Sequence, residues 1–525
     1  MTDKKTELPV STHIDHLINH GVENNAVWDS AIEEAQAANI NEHNMTVRQA
    51  LRSHPWAVFW SLTISMSIIM EGYDTNLIGS FYGDPAFQKQ FGVEHGDGYQ
   101  VPQSWQSALE AGGTAGCISG AFLNGYLVKH FGFKKVFTWA MFVIYAFIFI
   151  SFLGHTIGLQ VAGQVLYGID LQQYSLGFFA TIGPAYSSEL LPMALRSYLT
   201  AHTNMCFAIG RFISAGVLQS LASRDDQWSY SISYAAQWIW PVPLLPIGVL
   251  MPESPWWQVR HGRYDDALAT VQRLTAGEEK TKARQTVAMM IHTNRIDNLR
   301  RTEISCMSFT GQVLAGSQFA YTGTDFFEQA GMSPTDAYKL GLGGTAVAFV
   351  GTILSWFLMK NFGRRSTYFE RHGVDELLPS HHRILDVEVQ QQRRLGSIRT
   401  VHSPEVSSMR LRSKTICLAR NAYYIAITVA NVIEPYMMNP AAWNWRGTTG
   451  LFWFAFACLM FVWGYFRLPE TRGRTFEELD IMFAAGVPTR KFRKYHIDPY
   501  AENGAIQDRA RESPLEKSTD MMSPG

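Results

Sequence analysis

The chain has 525 residues, of which 47% are hydrophobic, and its formal net charge is -1. A near-neutral balance indicates neither a nucleic-acid partner nor an acidic substrate, so we predict neither. The apolar residues are not spread evenly but concentrate in runs of about 20, the length that crosses a bilayer. This distribution is typical of integral membrane proteins.

The first 54 residues form a polar tail, in which the Ala/Glu-rich part from Asn25 to Ile40 predicts a solvated helix. The tail lacks the apolar core of a signal peptide, so the first span must itself direct insertion. That span runs from Trp56 to Phe81 and contains two acids, Glu71 and Asp74. Acids at membrane depth are costly and commonly face a functional cavity, although both could instead lie in the headgroup layer.

Nine further apolar runs follow, joined by short basic or Gly/Pro-marked turns. A polar, basic segment follows the sixth span and predicts short surface helices. Lys and Arg concentrate after the second, sixth and eighth spans, whereas the loop after the first span is acidic, so both termini are predicted to be cytoplasmic. The nine predicted runs are 104–128, 136–153, 158–180, 199–221, 234–251, 305–327, 339–359, 416–438 and 450–466.

Three signals occur twice and predict an internal repeat. The sequence KHFGFKK is matched by KNFGRR, and MPESP is matched by LPETRGR. Between them, SELLPMALR with Glu189 and Arg196 is matched by PEVSSMRLR with Glu405 and Arg412. The interval from the glutamate to the proline of the last motif differs by a single residue between the two halves. Such agreement indicates two halves of one architecture, as in many carriers.

The repeat has one gap. Spans three and four lie between Gly132 and Glu189, whereas the matching interval from Gly363 to Glu405 is polar and contains no span. Each charge at the bilayer centre costs about 2.5–3.5 kcal/mol, so residues 369–404 cannot enter lipid. The segment is either a regulatory loop or a splicing or gene-prediction artefact, and we expect the chain as written to transport poorly or not at all.

The sequence therefore predicts an all-α membrane protein of two pseudo-repeated helical halves, with about ten spans where the repeat implies twelve. We see no nucleotide-binding loop, metal cluster or nucleophile motif, and predict no enzyme, no cofactor and no bound metal. The predicted parts are a cytoplasmic tail (1–54), a six-helix half (55–252), a cytoplasmic linker of short helices (253–303), a C-terminal half lacking two spans (304–468, with 369–404 as polar replacement) and a cytoplasmic tail (469–525).

Two motifs, PESPWWQVRHGRYDDAL and RLPETRGRTFEELD, resemble signatures of the sugar porter branch of the major facilitator superfamily. Others resemble fungal α-glucoside (maltose-type) permeases: MEGYDT, GQVLAG, FFEQAG, RLRSKTICLARNAYYI and NPAAWNW. The resemblance implies the major facilitator fold, a monomer in the plasma membrane, and proton-coupled uptake of an α-glucoside by alternating access. The alternatives are a non-transporting sugar sensor and an inactive product of a damaged gene.

The resemblance also assigns roles to single residues. Asp74 matches the first-span acid that such symporters protonate. Gln312, Gln318 and Tyr424 match sugar-contacting positions, although glutamines also join membrane helices to one another. Gln164 stands where many sugar porters have an arginine facing the first-span acid, and we place it with the substrate-binding residues.

Two further residues depart from the family pattern. Arg211 stands where the family usually has a sugar-binding glutamine, and Asp170 lies unusually at the middle of span four. Both fall near mid-depth on consecutive helices, so we predict a structural ion pair, which cancels much of the cost of burial.

The cytoplasmic motifs predict a latch that closes in one state and opens in the other. The basic residues could instead serve only to set topology. The predicted latch consists of Lys134, Lys135 and Arg196 with Glu189, and of Arg364, Arg365 and Arg412 with Glu405.

Overall fold

The structure is a computed structural model. It describes residues 25–81, 89, 92–95, 98–100, 103–153, 171–221, 228–293, 300–314, 336, 339–346, 349–350, 352–353, 406, 412–438, 443, 445, 449–471, 474–492 and 495.

The described chain is almost entirely helical, as the sequence predicts. One short antiparallel hairpin, β1 (Val93–His95) and β2 (Gly98–Gln100), is added in the loop after the first span. The helices are α1 (Asn25–Asn44), α2 (Val47–Ser53), α3 (Pro55–Ser65), α4 (Ser67–Phe81), α5 (Gln103–Phe131), α6 (Phe133–Leu153), α7 (Leu171–Leu190), α8 (Met193–Leu221), α9 (Trp228–Ala235), α10 (Pro241–Leu250), α11 (Pro255–Arg260), α12 (Tyr264–Leu274), α13 (Ala283–Thr293), α14 (Arg300–Leu314), α15 (Arg412–Met438), α16 (Thr449–Arg467) and α17 (Phe476–Ala484).

The first predicted span is not one helix but two, α3 and α4, which meet at Met66. Around this point Ser65 Oγ donates to the Ser61 carbonyl and Ser67 Oγ donates to the Ile64 carbonyl, both at 2.7 Å. Serine hydroxyls that bond back to the preceding turn commonly bend a helix. The break at Met66 separates α3 from α4, the helix that carries the two acids.

The sixth predicted span is also interrupted. Helix α9 passes into a 3-10 turn, Ala236–Ile239, before α10 begins at Pro241. Proline lacks a backbone N–H and clashes with the preceding turn, so a regular helix cannot run through this point. The turn places Gln237 against the first span.

Helices α4 and α8 approach each other very closely because glycines face the contact from both sides. A Cβ atom added at Gly72 would overlap the backbone oxygen of Phe207, and one added at Gly210 would overlap that of Ile69. Small residues permit such backbone contact in membrane proteins. The contact fixes α4 within the N-terminal half.

The two halves meet where α5 packs along α15. Asn124 Nδ2 lies 3.9 Å from Cys417 Sγ, and a Cβ atom added at Gly125 would lie 3.2 Å from the same sulfur. Cys117 and Ala121 of α5 share one apolar cluster with Tyr423 and Tyr424 of α15. This packing holds α15 beside the acids of the first span.

The outward faces of α5, α6, α10, α15 and α16 have large exposed apolar side chains. Exposed apolar side chains in this number indicate a surface that faces lipid and not water. In α15, the stretch Lys414–Ile433 is by itself long and apolar enough to cross a membrane. Exposed apolar side chains on these faces include Phe122, Trp139, Phe142, Val242, Val249, Leu250, Ile425, Val429, Val432, Leu459 and Val462.

A layer of shorter helices covers one end of the bundle. It contains α1, α11 to α13 and α17, the elements that the sequence places in the cytoplasm. Helix α1 occurs where it was predicted, but the prediction that it is solvated was wrong. Its side chains Ala35, Ala38 and Asn39 are buried, and α1 packs along α13.

Candidate functional site

The structure buries both acids of the first span. Glu71 is 5% exposed and Asp74 is 2% exposed. They lie three residues apart in α4, a spacing that places two side chains on neighbouring positions of one helix face. Each is held by a different part of the chain.

Glu71 is joined to the C-terminal half. The Arg420 guanidinium of α15 forms an ion pair with Glu71 Oε1 and donates from Nε to the Tyr424 hydroxyl at 3.2 Å. That hydroxyl in turn donates to Glu71 Oε1 at 3.3 Å. The three side chains therefore form a closed triangle, which we call the Glu71 triad, across the boundary between the halves.

Aromatic rings surround the guanidinium of this triad. The Arg420 Cζ lies 5.9 Å from the ring centre of Phe309 and 5.3 Å from that of Tyr423. Ring faces attract a cation and exclude water, so both strengthen the ion pair. No motif in the sequence assigns a role to Arg420.

Asp74 is held within its own half. The Gln237 Nε2 donates to Asp74 Oδ1 at 2.8 Å, and both side chains are buried. Next to Asp74, the Tyr73 hydroxyl donates to the Ser233 carbonyl at 2.9 Å and ties the same stretch of α4 to α9. An amide can donate to a carboxylate and accept from a carboxylic acid, so Gln237 suits both forms of Asp74.

Two buried amides near the triad have open hydrogen-bonding atoms. Gln312 of α14 is 6% exposed, and its Oε1 accepts no hydrogen bond from the described residues. Asn421, next to Arg420 in α15, is fully buried, and both its Oδ1 and its Nδ2 lack a hydrogen-bond partner among the described residues. Buried polar groups normally have partners, so these amides are candidates for contact with a hydroxyl-rich ligand.

Only some of the residues predicted for the sugar site and for the structural ion pair lie among the described residues. Tyr424 lies in the triad and Gln312 is buried nearby, whereas Arg211 is buried in α8. The predicted pairing of Arg211 with Asp170 stays a prediction. Six predicted residues lie outside the described residues: Gln164, Asp170, Gln318, Arg364, Arg365 and Glu405.

The cytoplasmic motifs of the N-terminal half contact one another, but with different partners from those predicted. Glu189 accepts from both Nη atoms of Arg260 at 3.0 Å, and the Ser254 hydroxyl also donates to it. Arg196 instead donates to Glu42 Oε1 at 3.3 Å. Arg260 is the last residue of α11. Its guanidinium donates to the carboxylate from two nitrogens, which is a stronger arrangement than a single hydrogen bond.

Lys134 and Lys135 lie in the first turn of α6. The first N–H groups of this helix are capped by Glu253, the glutamate of the PESP motif. Glu253 accepts from the N–H groups of Phe133 at 2.8 Å and of Lys134 at 3.2 Å. Gly132, with φ at +88°, leaves room for this carboxylate, which a side chain at that position would strike. Burial raises the pKa of Glu253, although the N–H donors oppose that shift.

The two arginines that the repeat relates meet at a single ring. The guanidinium of Arg196 lies 3.6 Å from the centre of Phe476, and that of Arg412 lies 3.7 Å from the same centre. Arg412 is fully buried and has no hydrogen-bond partner among the described residues. Phe476, the first residue of α17, thereby contacts both halves by cation–π interactions.

Two helical halves that meet around buried polar side chains, with a charged layer at one end, are the architecture of a secondary transporter. The chain matches the "Sugar (and other) transporter" family over residues 60–370 and 394–483. It therefore belongs to this family of integral membrane proteins and is not an enzyme. The unmatched stretch 371–393 falls inside the polar segment at which the internal repeat has its gap.

The curated relatives are permeases. The chain is 33% identical to the maltose permease MAL31 of Saccharomyces cerevisiae over 518 residues, which cover 90% of this chain and 83% of that one. It is 30% identical to the general alpha-glucoside permease of Saccharomyces cerevisiae over 537 residues, covering 93% and 85%.

Solved structures show the same fold. The major facilitator proton:xylose symporter XylE bound to 6-bromo-6-deoxy-D-glucose matches with a TM-score of 0.69 at 19% identity, covering 82% of this chain and 99% of that one. The inward-open form of XylE from E. coli matches with a TM-score of 0.57 at 18% identity, covering 80% and 98%. The predicted major facilitator fold is thus confirmed.

Proposed function

We propose that this sugar transporter, in a form that contains the two spans missing from residues 369–404, takes up an α-glucoside such as maltose together with protons. It does so as a monomer in the plasma membrane with both termini in the cytoplasm. The names of the curated relatives support the α-glucoside as substrate. The observation that carries the proposal is the Glu71 triad, a buried charged contact between the two halves. A contact of this kind must change when the halves rock around a central site.

Asp74 is the proposed proton-binding group. Its buried partner Gln237 donates to the carboxylate at 2.8 Å and, by turning its amide, accepts from the protonated acid. Glu71 differs because a guanidinium has donors only and suits the ionised carboxylate. The proton is therefore loaded at Asp74, while Glu71 stays ionised and keeps the halves in register.

The proposed sugar site lies beside the triad. Gln312 and Asn421 have open amide atoms, and the Tyr424 hydroxyl is close to both acid and arginine. A sugar offers hydroxyl groups that donate and accept, which such amides match. A sugar bound there would touch the triad, so its arrival and the rearrangement of the Glu71 contact would be linked.

The test uses the 525-residue chain and a chimera in which residues 369–404 are replaced by the two matching spans of a maltose permease. We expect saturable uptake of labelled maltose with proton influx from the chimera, and little or none from the original chain. Asp74→Asn in the chimera should exchange maltose without accumulating it, since an amide does not titrate here. Glu278→Gln, an exposed acid of the linker, is the matched control and should leave accumulation unchanged.

Two results would contradict the proposal. The chimera could fail to transport maltose although it is folded at the cell surface, or Asp74→Asn could accumulate maltose as well as the parent. Strong uptake by the original chain would support the proposed transport and would show that the gap is tolerated. The orientation is tested separately, because a tag at either end that impermeant reagents reach in intact cells would place that end outside.

A further inference from the structure

The N-terminal tail helix α1 contacts three separate parts of the chain. On the N-terminal half, Glu42 Oε1 accepts from the Met193 N–H at 2.6 Å and from Arg196 Nη2 at 3.3 Å. On the linker, Asn41 Nδ2 donates to Glu279 at 3.0 Å. On the C-terminal helix α17, His43 Nε2 lies 3.2 Å from Glu478 Oε1.

The contact with the linker is packed as well as polar. Ala35 is 1% exposed, and Ala38 and Asn39 are also buried where α1 lies along α13. Arg284 of α13 adds an ion pair with Glu34 at 3.7 Å. These buried side chains span little more than one turn of α1, and their close packing fixes the position of this part of the helix relative to α13.

Helix α17 passes this contact on to the C-terminal half. Its Asp480 forms a fully buried ion pair with Arg301, which lies at the start of α14. Two neighbouring residues of α1 therefore bind the two halves of the protein. Glu42 binds the start of α8 in the N-terminal half, and His43 binds α17, which is joined to α14 of the C-terminal half by the Asp480–Arg301 ion pair. Separation of the two halves at this end would pull these two contacts apart.

We propose that α1 is a strap that holds the cytoplasmic side of the transporter shut, with the contact between His43 and Glu478 as its pH-sensitive clasp. The inference rests on alternating access in the proposed function but not on proton coupling. The strap must release whenever the cytoplasmic side opens.

The charges around His43 set the sign of the pH dependence. The hydrogen bond that His43 donates to Glu478 raises the pKa of His43 above its ordinary 6.5, with burial opposing, Glu42 supporting and Arg474 opposing. A raised pKa in the docked state means that the clasp is complete below pH 6.5 and is lost as the pH rises through the raised value. An acidified cytoplasm therefore fastens the strap and would slow the opening of the cytoplasmic side.

The first measurement is hydrogen–deuterium exchange of residues 25–44 in the full chain in nanodiscs at pH 6 and pH 8, corrected for the intrinsic rates. We expect exchange to be roughly two- to fivefold slower at pH 6, the range for a partly exposed ion pair. His43→Gln should remove this difference. His261→Gln, which changes an exposed cytoplasmic histidine, should retain it.

A second variant and a distance measurement test the strap further. Glu42→Gln should speed exchange of α1 at both pH values while leaving the pH difference. Spin labels at His130→Cys and Lys414→Cys, exposed on opposite halves, should show an added longer distance at pH 8 or with His43→Gln. The proposal is overturned if the original chain shows no pH difference, if His43→Gln retains it, or if the label distance is unchanged. None of these readouts requires transport, so they stand apart from the test of the proposed function.

Discussion

Glu71 and Asp74 are two carboxylates on one helix, both buried, with opposite kinds of partner. Glu71 is bound by a guanidinium from the other half, and Asp74 by a neutral amide from its own half. The guanidinium keeps Glu71 ionised and joins the two halves of the protein. The amide accepts either protonation state of Asp74 and joins residues of one half only. Burial alone therefore does not show which carboxylate can bind a proton, because the hydrogen-bonding partner of the carboxylate decides which protonation state is favoured.

The largest effect that separates the two acids should come from Arg420→Met. The variant leaves Glu71 buried without its counter-charge, which destabilises a protein by about 3–5 kcal/mol. We expect a large loss of folded, monodisperse protein in size-exclusion chromatography. The double variant Arg420→Met with Glu71→Gln should recover part of that loss, and a double variant as poor as the single one would argue against the pair.

A smaller effect is expected where the amide is removed. Gln237→Leu deprives the Asp74 carboxylate of its donor, and a hydrogen bond to a charged group contributes about 1.5–3 kcal/mol. The melting temperature should fall, and it should fall less at low pH, because Gln237 makes a weaker, uncharged hydrogen bond with protonated Asp74. A loss that is the same at all pH values would show that Asp74 does not change its protonation state.

The backbone contact of α4 with α8 offers a test that disturbs both acids together. Gly210→Ala would push a methyl group against the Ile69 oxygen and the Tyr73 nitrogen, an overpacking that costs about 1–3 kcal/mol. The matched control is Gly216→Ala in the same helix, where a Cβ atom meets nothing within 4 Å. Thermal unfolding of the two variants should differ, and equal melting temperatures would mean that the helices are further apart.

The smallest effect on stability should come from Asp74→Asn. The new amide oxygen can still accept from Gln237, so the free energy of unfolding should change by less than about 1 kcal/mol. The neutralisation Glu71→Gln should be far more damaging, since it leaves Arg420 buried and uncompensated. Similar losses for both neutralisations would remove the distinction between the acids.

The sequence alone predicts the fold and identifies the two buried acids, but it does not predict the partner of either acid. Both acids stand out because charge is rare inside an apolar run. Arg420 is also a charge inside a predicted span, 416–438, but its partner is not evident, because that partner is 349 residues away and no local pattern connects the two. The internal repeat likewise identifies equivalent positions but not contacts: Glu189 and Arg196 match their counterparts, yet Glu189 binds Arg260 of the linker.

The tail helix shows a second limit of sequence reasoning. The Ala/Glu-rich composition from Asn25 to Ile40 predicts a helix and gives a correct element. It does not predict docking, because the buried face is made of small side chains such as Ala35 and Ala38, which carry a weak hydrophobic signal. Contacts made by single polar residues, such as Glu42 and His43, leave no periodic trace at all.

The distance along the chain between Glu71 and Arg420 also has a consequence for biosynthesis. A ribosome adds about 5–20 residues per second, so the 349 residues between them take roughly 17 to 70 s to make. During that time α4 has been delivered to the membrane and Glu71 has no guanidinium to meet. The nascent carrier must keep this side chain protonated, hydrated or shielded by the insertion machinery until α15 arrives.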